Sequence, residues 1–488
     1  MKKILFTHSY FLHFDKKQEN MGRPYAPLGT LCAAALMRVN GYNVALFDTM
    51  FAQSPDELLS KLKDEQPDFF VIYDDGFNYL TKMCLTNMRD AAIRMIELAA
   101  AFNCTVIISS SDATDHYEKY LRAGAGFVLI GEGELTLLEL INTITSGASN
   151  LYNVPGIIFL DGDNTIKTTK RNVLKELDSL PMAAWDLADM NRYKSIWLTH
   201  EGYFSINIAT TRGCPFKCNW CAKPIYGNRY NSRSPENVIA ELKYLMVTYG
   251  FDHVWFCDDI FGLKPGWVEE FAALVSKENL RFKFKIQSRA DLLLQPAYVQ
   301  SLQLAGCDNA WMGAESGSQK ILNAMDKGIT VEQIYAATHL LKAHNINPSL
   351  FIQFGYLGET KEDIKLTIKM INELLPHEIG ISVSYPLPGT GFYEKVKEAM
   401  QEKANWTDSG ELALMFRNTY APSFYKQLHR FVHNNYKYRI ATVRLQEMIS
   451  RPQSASIGNI KKALSVLYYL PITMIDKIKL FTLQNTHA

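Results

Sequence analysis

Three thiols within eight positions carry the first chemical signal in this chain. Cys214, Cys218 and Cys221 stand in the run Thr211-Arg212-Gly213-Cys214-Pro215-Phe216-Lys217-Cys218-Asn219-Trp220-Cys221, spaced CxxxCxxC. Thiolates are soft donors that select zinc or iron–sulfur clusters. A closed structural zinc site takes four ligands. After Cys221 the next His and Cys are His253 and Cys257, on or near a different strand candidate, which disfavours zinc. Three thiolates can hold three irons of a [4Fe–4S] cluster and leave the fourth iron open, as a reaction centre needs. Unliganded core thiols would be spread out among apolar residues, not flanked by Pro215, Lys217 and Asn219. The other cysteines (Cys32, Cys84, Cys104, Cys257 and Cys307) stand singly in apolar surroundings, and Cys257 reads as a buried thiol.

These thiols need a scaffold, and residues 201–425 supply one. Strand candidates recur at Phe204–Ile208, His253–Cys257, Phe282–Ile286, Ala310–Gly313, Ser349–Phe354 and Ile379–Val383, with helical patterns between them. Six strand-then-helix repeats predict a parallel barrel or partial barrel, whose chemistry sits at the carboxyl ends of the strands. The cysteine run follows the first of these strands. Residues 1–150 alternate five short apolar runs (Ile4–Phe6, Asn43–Phe47, Phe69–Tyr73, Thr105–Ser109 and Phe127–Ile130) with helical segments. That order predicts a parallel, doubly wound, Rossmann-like sheet, which binds ligands beyond its carboxyl ends. Its loops include Ser109-Ser110-Ser111-Asp112-Ala113-Thr114 and Gly131-Glu132-Gly133-Glu134, which serve equally well as turns and helix caps. Residues 151–200, with a hairpin around Asp161-Gly162-Asp163-Asn164, read as an ordered connector, being too apolar to stay solvated.

CxxxCxxC with an aromatic residue, Trp220, before its last Cys, on the loop after the first barrel strand, resembles the radical S-adenosylmethionine superfamily. The resemblance implies a [4Fe–4S] cluster on Cys214, Cys218 and Cys221. Its open iron would chelate the amino and carboxylate groups of S-adenosylmethionine, and cleavage would give a 5′-deoxyadenosyl radical. Trp220 would shield the cluster. Gly313-Ala314-Glu315-Ser316-Gly317-Ser318 resembles the family's GxESG stretch, which places Gly313, Ala314, Glu315 and Ser316 at S-adenosylmethionine. Ser288 and Arg289, after the third barrel strand, stand where polar residues of the family meet that cofactor, although Arg289 fits a structural ion pair as well. Gly355-Tyr356-Leu357-Gly358-Glu359-Thr360 resembles the GxPGET turn, with Leu357 in place of the usual proline. Pro386-Leu387-Pro388-Gly389-Thr390 is another stretch common in the family. Paired carboxylates often follow the second strand; here Asp259 reads as structural, and the role of Asp258 is open.

Pro27-Leu28-Gly29, the serine-rich loop and the GEGE loop together resemble the cobalamin-binding domain placed before many such enzymes. That implies cobalamin contacts at Ser111, Asp112, Thr114, Gly131, Glu132 and Gly133. The Asp-x-His-x-x-Gly motif of cobalamin mutases is missing around His8 and His13, so no cobalt-ligating histidine is expected from it. The implied fold is α/β: a doubly wound cobalamin-type domain (1–150), a connector (151–200), a partial (β/α)6 barrel (201–425) and a helical C-terminal region (426–488). The implied function is cobalamin-dependent methyl transfer to an unactivated carbon, with an external electron donor such as flavodoxin or ferredoxin. The same architecture serves an oxidative cyclase of the anaerobic magnesium-protoporphyrin ester type, and a non-catalytic iron–sulfur protein is a third reading.

Bulk composition bounds the rest. The chain has 488 residues, 47% of them hydrophobic and 21% charged, with 51 basic against 50 acidic side chains. No global field points to nucleic acid. MKKILFTHSY does not read as a secretory signal, no window approaches the ~18 apolar residues of a spanning helix, and unpaired cysteines predict a reducing cytoplasm. The substrate is a small or lipid-like molecule that the sequence does not name. Pro422–Tyr438 reads as a helix, and Ile460–Leu483 as an amphipathic segment interrupted by Pro471, fit to cap the barrel's open side or to lie on a membrane surface.

Overall fold

A computed structural model of the chain describes residues 1–83, 85–147, 150–221, 223, 225–402, 405–450 and 457–483. Cys84 and the side chains of Lys461 and Lys462 lie outside that description.

The first sheet holds β1 (Lys3–Thr7), β2 (Asn43–Phe47), β3 (Phe69–Tyr73), β4 (Thr105–Ser109) and β5 (Phe127–Leu129). These five pair in parallel in the order β2-β1-β3-β4-β5. Every residue of β3, FFVIY, is buried, as a central strand covered on both faces requires. The hairpin expected in the connector joins this sheet instead. Its strands β6 (Ile157–Asp161) and β7 (Asn164–Lys167) continue the sheet antiparallel from β5. The reason is the open edge of β5: Ile157 and Ile158 pair with Leu129 and Val128 there, and all four are buried. Covering that edge removes a row of unpaired backbone groups.

The second sheet is built from β8 (Ser205–Ile208), β11 (His253–Phe256), β12 (Lys283–Ser288), β13 (Cys307–Glu315), β14 (Asn347–Phe354) and β15 (Glu378–Val383). They run parallel in the order β8-β11-β12-β13-β14-β15, and β8 and β15 do not pair. The result is an open half-barrel. Alternation along β12, KFKIQS, shows its faces: Phe284 and Ile286 are fully buried, whereas Lys285 and Gln287 line the interior cavity. Between β8 and β11 lie two short antiparallel strands, β9 (Thr211–Arg212) and β10 (Asn231–Ser232).

The two sheets share a core. One continuous hydrophobic cluster runs from Ile4, Phe6 and Val71 of the first sheet through Trp185 and Trp197 to Ile206, Val254 and Phe284 of the half-barrel. Both tryptophans are fully buried and their indole N–H groups are satisfied, by Glu241 at 2.8 Å and by the Pro24 carbonyl at 2.7 Å. The residues between the sheets are therefore packed structure rather than a tether.

Two long helices, Pro422–Ser450 and Ile457–Leu483, close the chain and pack along each other. The first lies against β15, and Tyr436 Oη donates to the Pro376 and His377 carbonyls at 2.6 and 2.7 Å. The sequence predicts a helix end near Tyr438 and an interruption at Pro471. Both helices run on instead, and Pro471 stands exposed within the second. Packing of one long helix on the other outweighs the propensity cost of a single proline on the outer side. No helix among the described residues is long and apolar enough to cross a membrane.

Candidate functional site

The cysteine run occupies the loop from 213 to 230, at the carboxyl end of β8, and β9 and β10 close its base by pairing Arg212 with Asn231 and Thr211 with Ser232. Asp258, which follows β11, holds the entrance. Its carboxylate accepts from Thr210 N at 2.7 Å, Thr210 Oγ1 at 2.6 Å and Thr211 N at 2.7 Å. Burial pushes Asp258 up to about 6, against those hydrogen bonds. Asp258 thus holds Thr210 and Thr211 where the chain enters the loop. Gly213 is demanded by its place: its φ is +83°, and a Cβ would come within 2.4 Å of the Arg229 carbonyl oxygen.

Arg212 ties this loop to the first domain. Its guanidinium is buried, donates to Glu132 and, at 2.8 Å, to Glu134, and lies over Tyr226 and Phe77. Glu132 also accepts from Leu174 N at 2.6 Å. Burial pushes the Glu132 carboxyl up and Glu134 adds to this, while Arg212 opposes both. The GEGE loop after β5, with Gly131 and Gly133 either side of Glu132, is thus an anchor for the cysteine loop. Sequence reading missed Arg212; its signal was a cation in an apolar stretch beside the cysteines with no local acidic partner.

Within the loop Asn219 is a second hub. Its N donates to the Met325 carbonyl at 3.1 Å, and its Nδ2 to the Ala324 carbonyl at 2.8 Å and Asp326 at 2.7 Å. Its Oδ1 accepts from Tyr356 Oη at 2.7 Å, and its carbonyl from Phe392 N at 2.8 Å. Tyr356 belongs to the GYLGET stretch and Phe392 follows PLPGT. Two of the family-like stretches therefore hold the cysteine loop directly. Phe216 packs under Arg289, whose guanidinium carbon is 3.6 Å from the ring centroid. Arg289 also pairs with Asp291 at 3.0 Å and donates to the Lys327 carbonyl at 3.2 Å. Buried Ser288 stands beside it at the end of β12.

At the end of β13, Glu315 takes a left-handed φ of +60° and pairs with buried Lys327, Nζ to Oε1 2.8 Å. Burial pulls Lys327 down, but Glu315 and Cys218 outweigh it and hold the amine above its ordinary value. The Lys327 amine also lies 5.8 Å from the Trp220 ring. The structure therefore brings Cys218, Trp220 and Glu315 around one lysine, with Gly313 and Ala314 in the strand leading to it. Ser316 Oγ lies 3.1 Å from Thr367 Oγ1, and Gly317 packs so closely that a Cβ would meet the Leu366 carbonyl at 2.5 Å.

The donor set fits an iron–sulfur cluster. None of the seven described cysteines is in a disulfide. Among the described residues no three His, Cys, Asp or Glu converge as for a single ion. A four-iron cluster instead holds its thiolates at separate corners, which suits one thiol every three or four residues of a short loop. Trp220 Nε1 is a buried donor with no acceptor among the described residues, beside Cys221.

The residues expected at cobalamin lie on the loops after the neighbouring strands β4 and β5. Ser111 and Asp112 begin a short helix capped by Ser110, and Thr114 donates to the Ser110 carbonyl at 3.0 Å. Asp112 is held by Arg89 at 2.6 and 2.5 Å and by Tyr120 at 2.5 Å. These side chains and Glu132 are engaged within the protein. His8 is likewise committed, to Asp48 at 2.9 Å and Thr49 at 3.1 Å.

A different surface faces the half-barrel. A cavity of about 490 Å³ is bounded on one side by the loops after β1, β2 and β3, through Tyr10, Leu12, Met50 and Asn78. Trp255, Trp311 and Phe351 give its barrel wall an aromatic lining, and Gln287, next to Ser288, reaches it from β12. Lys285 points into it between Tyr25 and Trp255, 5.4 and 5.2 Å from their ring centroids. Burial pushes Lys285 down to about 8. His429 and His433 of the penultimate helix complete the wall, burial pushing them down to about 3 and about 4.

Residues 208–371 match the radical SAM superfamily. An uncharacterised methyltransferase of Pyrococcus horikoshii is 29% identical over 55% of this chain and 57% of its own length. An anaerobic magnesium-protoporphyrin IX monomethyl ester cyclase of Cereibacter sphaeroides is 24% identical over 82% of this chain and 64% of its own. The chain thus spans less than two thirds of either relative. The solved structure of the cobalamin-dependent S-adenosylmethionine radical enzyme OxsB, with aqua-cobalamin bound, superposes with a TM-score of 0.72 at 18% identity, over 98% of this chain and 72% of that one. Residues 208–371 accordingly match the radical SAM superfamily model, and the chain as a whole shares the fold of the OxsB structure.

Proposed function

We propose that this protein is a radical S-adenosylmethionine enzyme that uses cobalamin to transfer a methyl group to an unactivated carbon. The observation that carries the reading is the cysteine loop, fixed at the carboxyl end of the half-barrel by Arg212, Asp258, Asn219 and Arg289. Cys214, Cys218 and Cys221 would hold the [4Fe–4S] cluster, and Gly313, Ala314, Glu315, Ser316, Ser288 and Arg289 would surround S-adenosylmethionine. When bound, the cluster supplies an electron for S-adenosylmethionine cleavage, and cobalamin supplies a methyl carrier. The loops carrying Tyr10, Leu12, Met50 and Asn78 would face the corrin, with Ser111, Asp112, Thr114, Gly131, Glu132 and Gly133 shaping the turns behind it. The aromatic cavity would exclude water from the reacting carbon. Lys285 gives that cavity a buried amine held between Tyr25 and Trp255. A flavodoxin- or ferredoxin-type donor would supply the electron, in a reducing cytoplasm.

A second reading has its own support. The cyclase relative aligns with more of this chain than the methyltransferase relative does. A non-methylating oxidation on the same scaffold is therefore the alternative. Anaerobic reconstitution with iron, sulfide and hydroxocobalamin, followed by reaction with methyl-labelled S-adenosylmethionine, separates the two. Label in a carbon-bound methyl product supports methyl transfer; 5′-deoxyadenosine with unlabelled, dehydrogenated product supports the alternative. Cys214→Ala, Cys218→Ala and Cys221→Ala should each abolish cluster and cleavage. Full cleavage by any of them would refute the assignment.

A further inference from the structure

We propose that the last helix, Ile457–Leu483, docks this protein on a membrane surface rich in anionic lipid. Its amphipathicity is inverted. Leu464, Leu467, Met474, Ile475, Ile478 and Phe481 are each more than half exposed, and their spacing of three, four and seven puts them along one face. The face turned inward carries Ala463, Thr473, Asp476 and Leu480, all buried. Asp476 fixes this orientation. Its carboxylate accepts from Gln427 Nε2 at 3.1 Å and Asn434 Nδ2 at 2.7 Å, and pairs with Arg430 at 3.2 Å. Turning the apolar face inward would break all three contacts. The outward stripe is a consequence of specific polar bonds, not of loose packing, and contiguous apolar surface of this length marks an interaction site.

Charge identifies the occupant. Residues 422–483 carry ten Lys and Arg against two Asp and Glu; the rest of the chain carries 41 basic against 48 acidic side chains. A near-neutral protein has thus concentrated a surplus of eight positive charges on the hairpin that bears the stripe. Lys477 and Lys479 stand exposed on either side of Ile478. An apolar helix face bordered by lysines matches the boundary between acyl chains and anionic headgroups. A second copy of this chain is a poor match, because isologous packing would bring two equally basic hairpins together. The penultimate helix also contributes His429 and His433 to the cavity wall, so the docking hairpin and the cavity share one element.

The test is co-sedimentation of the full chain with phosphatidylcholine vesicles, with and without phosphatidylglycerol. Binding should require phosphatidylglycerol and weaken with salt. Lys477→Gln and Lys479→Gln should each weaken partitioning about fivefold. Leu467→Glu and Ile478→Glu should weaken it more than tenfold, with unchanged far-ultraviolet circular dichroism and unchanged cluster content. Equal binding to both vesicle types, or binding untouched by the four substitutions, would overturn the proposal. So would a dimer in solution that the two glutamate variants dissociate while vesicle binding stays absent.

Discussion

Arg212→Met is the sharpest test of how the two domains cooperate. Methionine preserves much of the side-chain volume, so the change isolates charge. Removing the guanidinium leaves Glu132 and Glu134 buried together with no cation. Breaking a buried pair from one side costs about 3–5 kcal/mol, and loss of the contact with Tyr226, 5.3 Å away, adds roughly 0.5–2 kcal/mol. At about 2–4 °C per kcal/mol for a domain of barrel size, the thermal midpoint should fall by roughly 7–28 °C. Midpoints are compared at one scan rate, and iron per chain is measured after reconstitution. The cluster should be held less well, because Arg212 adjoins Gly213 and Cys214. The control is the triple variant with Glu132→Gln and Glu134→Gln, which removes the stranded charges and should recover at least half of the loss. A single variant that melts like the parent and keeps its iron would refute the reasoning. A triple variant no more stable than the single one would do the same.

Other expectations follow from neighbouring contacts. Asn219→Ala removes an acceptor for Tyr356 and two donor contacts, to Ala324 and Asp326; it should lower iron retention several-fold while changing the thermal midpoint less than Arg212→Met does. The Glu359 carboxyl accepts from Gly355 N at 2.7 Å in a buried site, and burial pushes it up to about 8. Its folded-state value lies above its unfolded one, so it releases its proton more readily when unfolded, and stability falls as pH rises towards 8 at up to about 1.4 kcal/mol per unit. Glu359→Gln should flatten that slope in denaturation midpoints taken between pH 6 and 8, and an unchanged slope would count against the assignment. Gly317→Ala places a Cβ 2.5 Å from the Leu366 carbonyl oxygen; forcing the GAESGS turn from its helix should cost about 1–3 kcal/mol and raise the KM for S-adenosylmethionine cleavage.

Local pattern carried most of the architecture. The apolar runs at Phe69–Tyr73 and Ser349–Phe354 and the cysteine spacing are each written within a dozen residues, and the strands formed where those patterns lie. What escaped was pairing at a distance. Arg212 meets Glu132 across 80 positions, and Asn219 meets Tyr356 across 137. Such contacts leave no periodic trace in either segment. In the GEGE and SSSDAT loops the resemblance points to ligand contacts, and the distant cations Arg212 and Arg89 that pair with Glu132 and Asp112 leave no mark on the local pattern. The hairpin at 157–167 read as a connector, since nothing within it reveals the bare edge of β5 that it completes. Asp476 is the most instructive miss. One buried carboxylate, bound by Gln427, Asn434 and Arg430, reverses which side of the last helix meets water.

The span between Glu132 and Arg212 also has a temporal meaning. Chains are synthesised from the amino end at roughly 5–20 residues per second, so Arg212 is made about 4–16 s after Glu132. During that interval the nascent first sheet has all of its parallel strands and then its β6–β7 edge, yet it holds two inward carboxylates without their cation. Its shared apolar face is also incomplete, because Val254 and Phe284 are made later still. The amino-terminal domain therefore leaves the ribosome as a provisional structure, completed only when the arginine beside the first cysteine arrives. Folding of the scaffold and readiness to take up metal become a single late event in the life of the polypeptide.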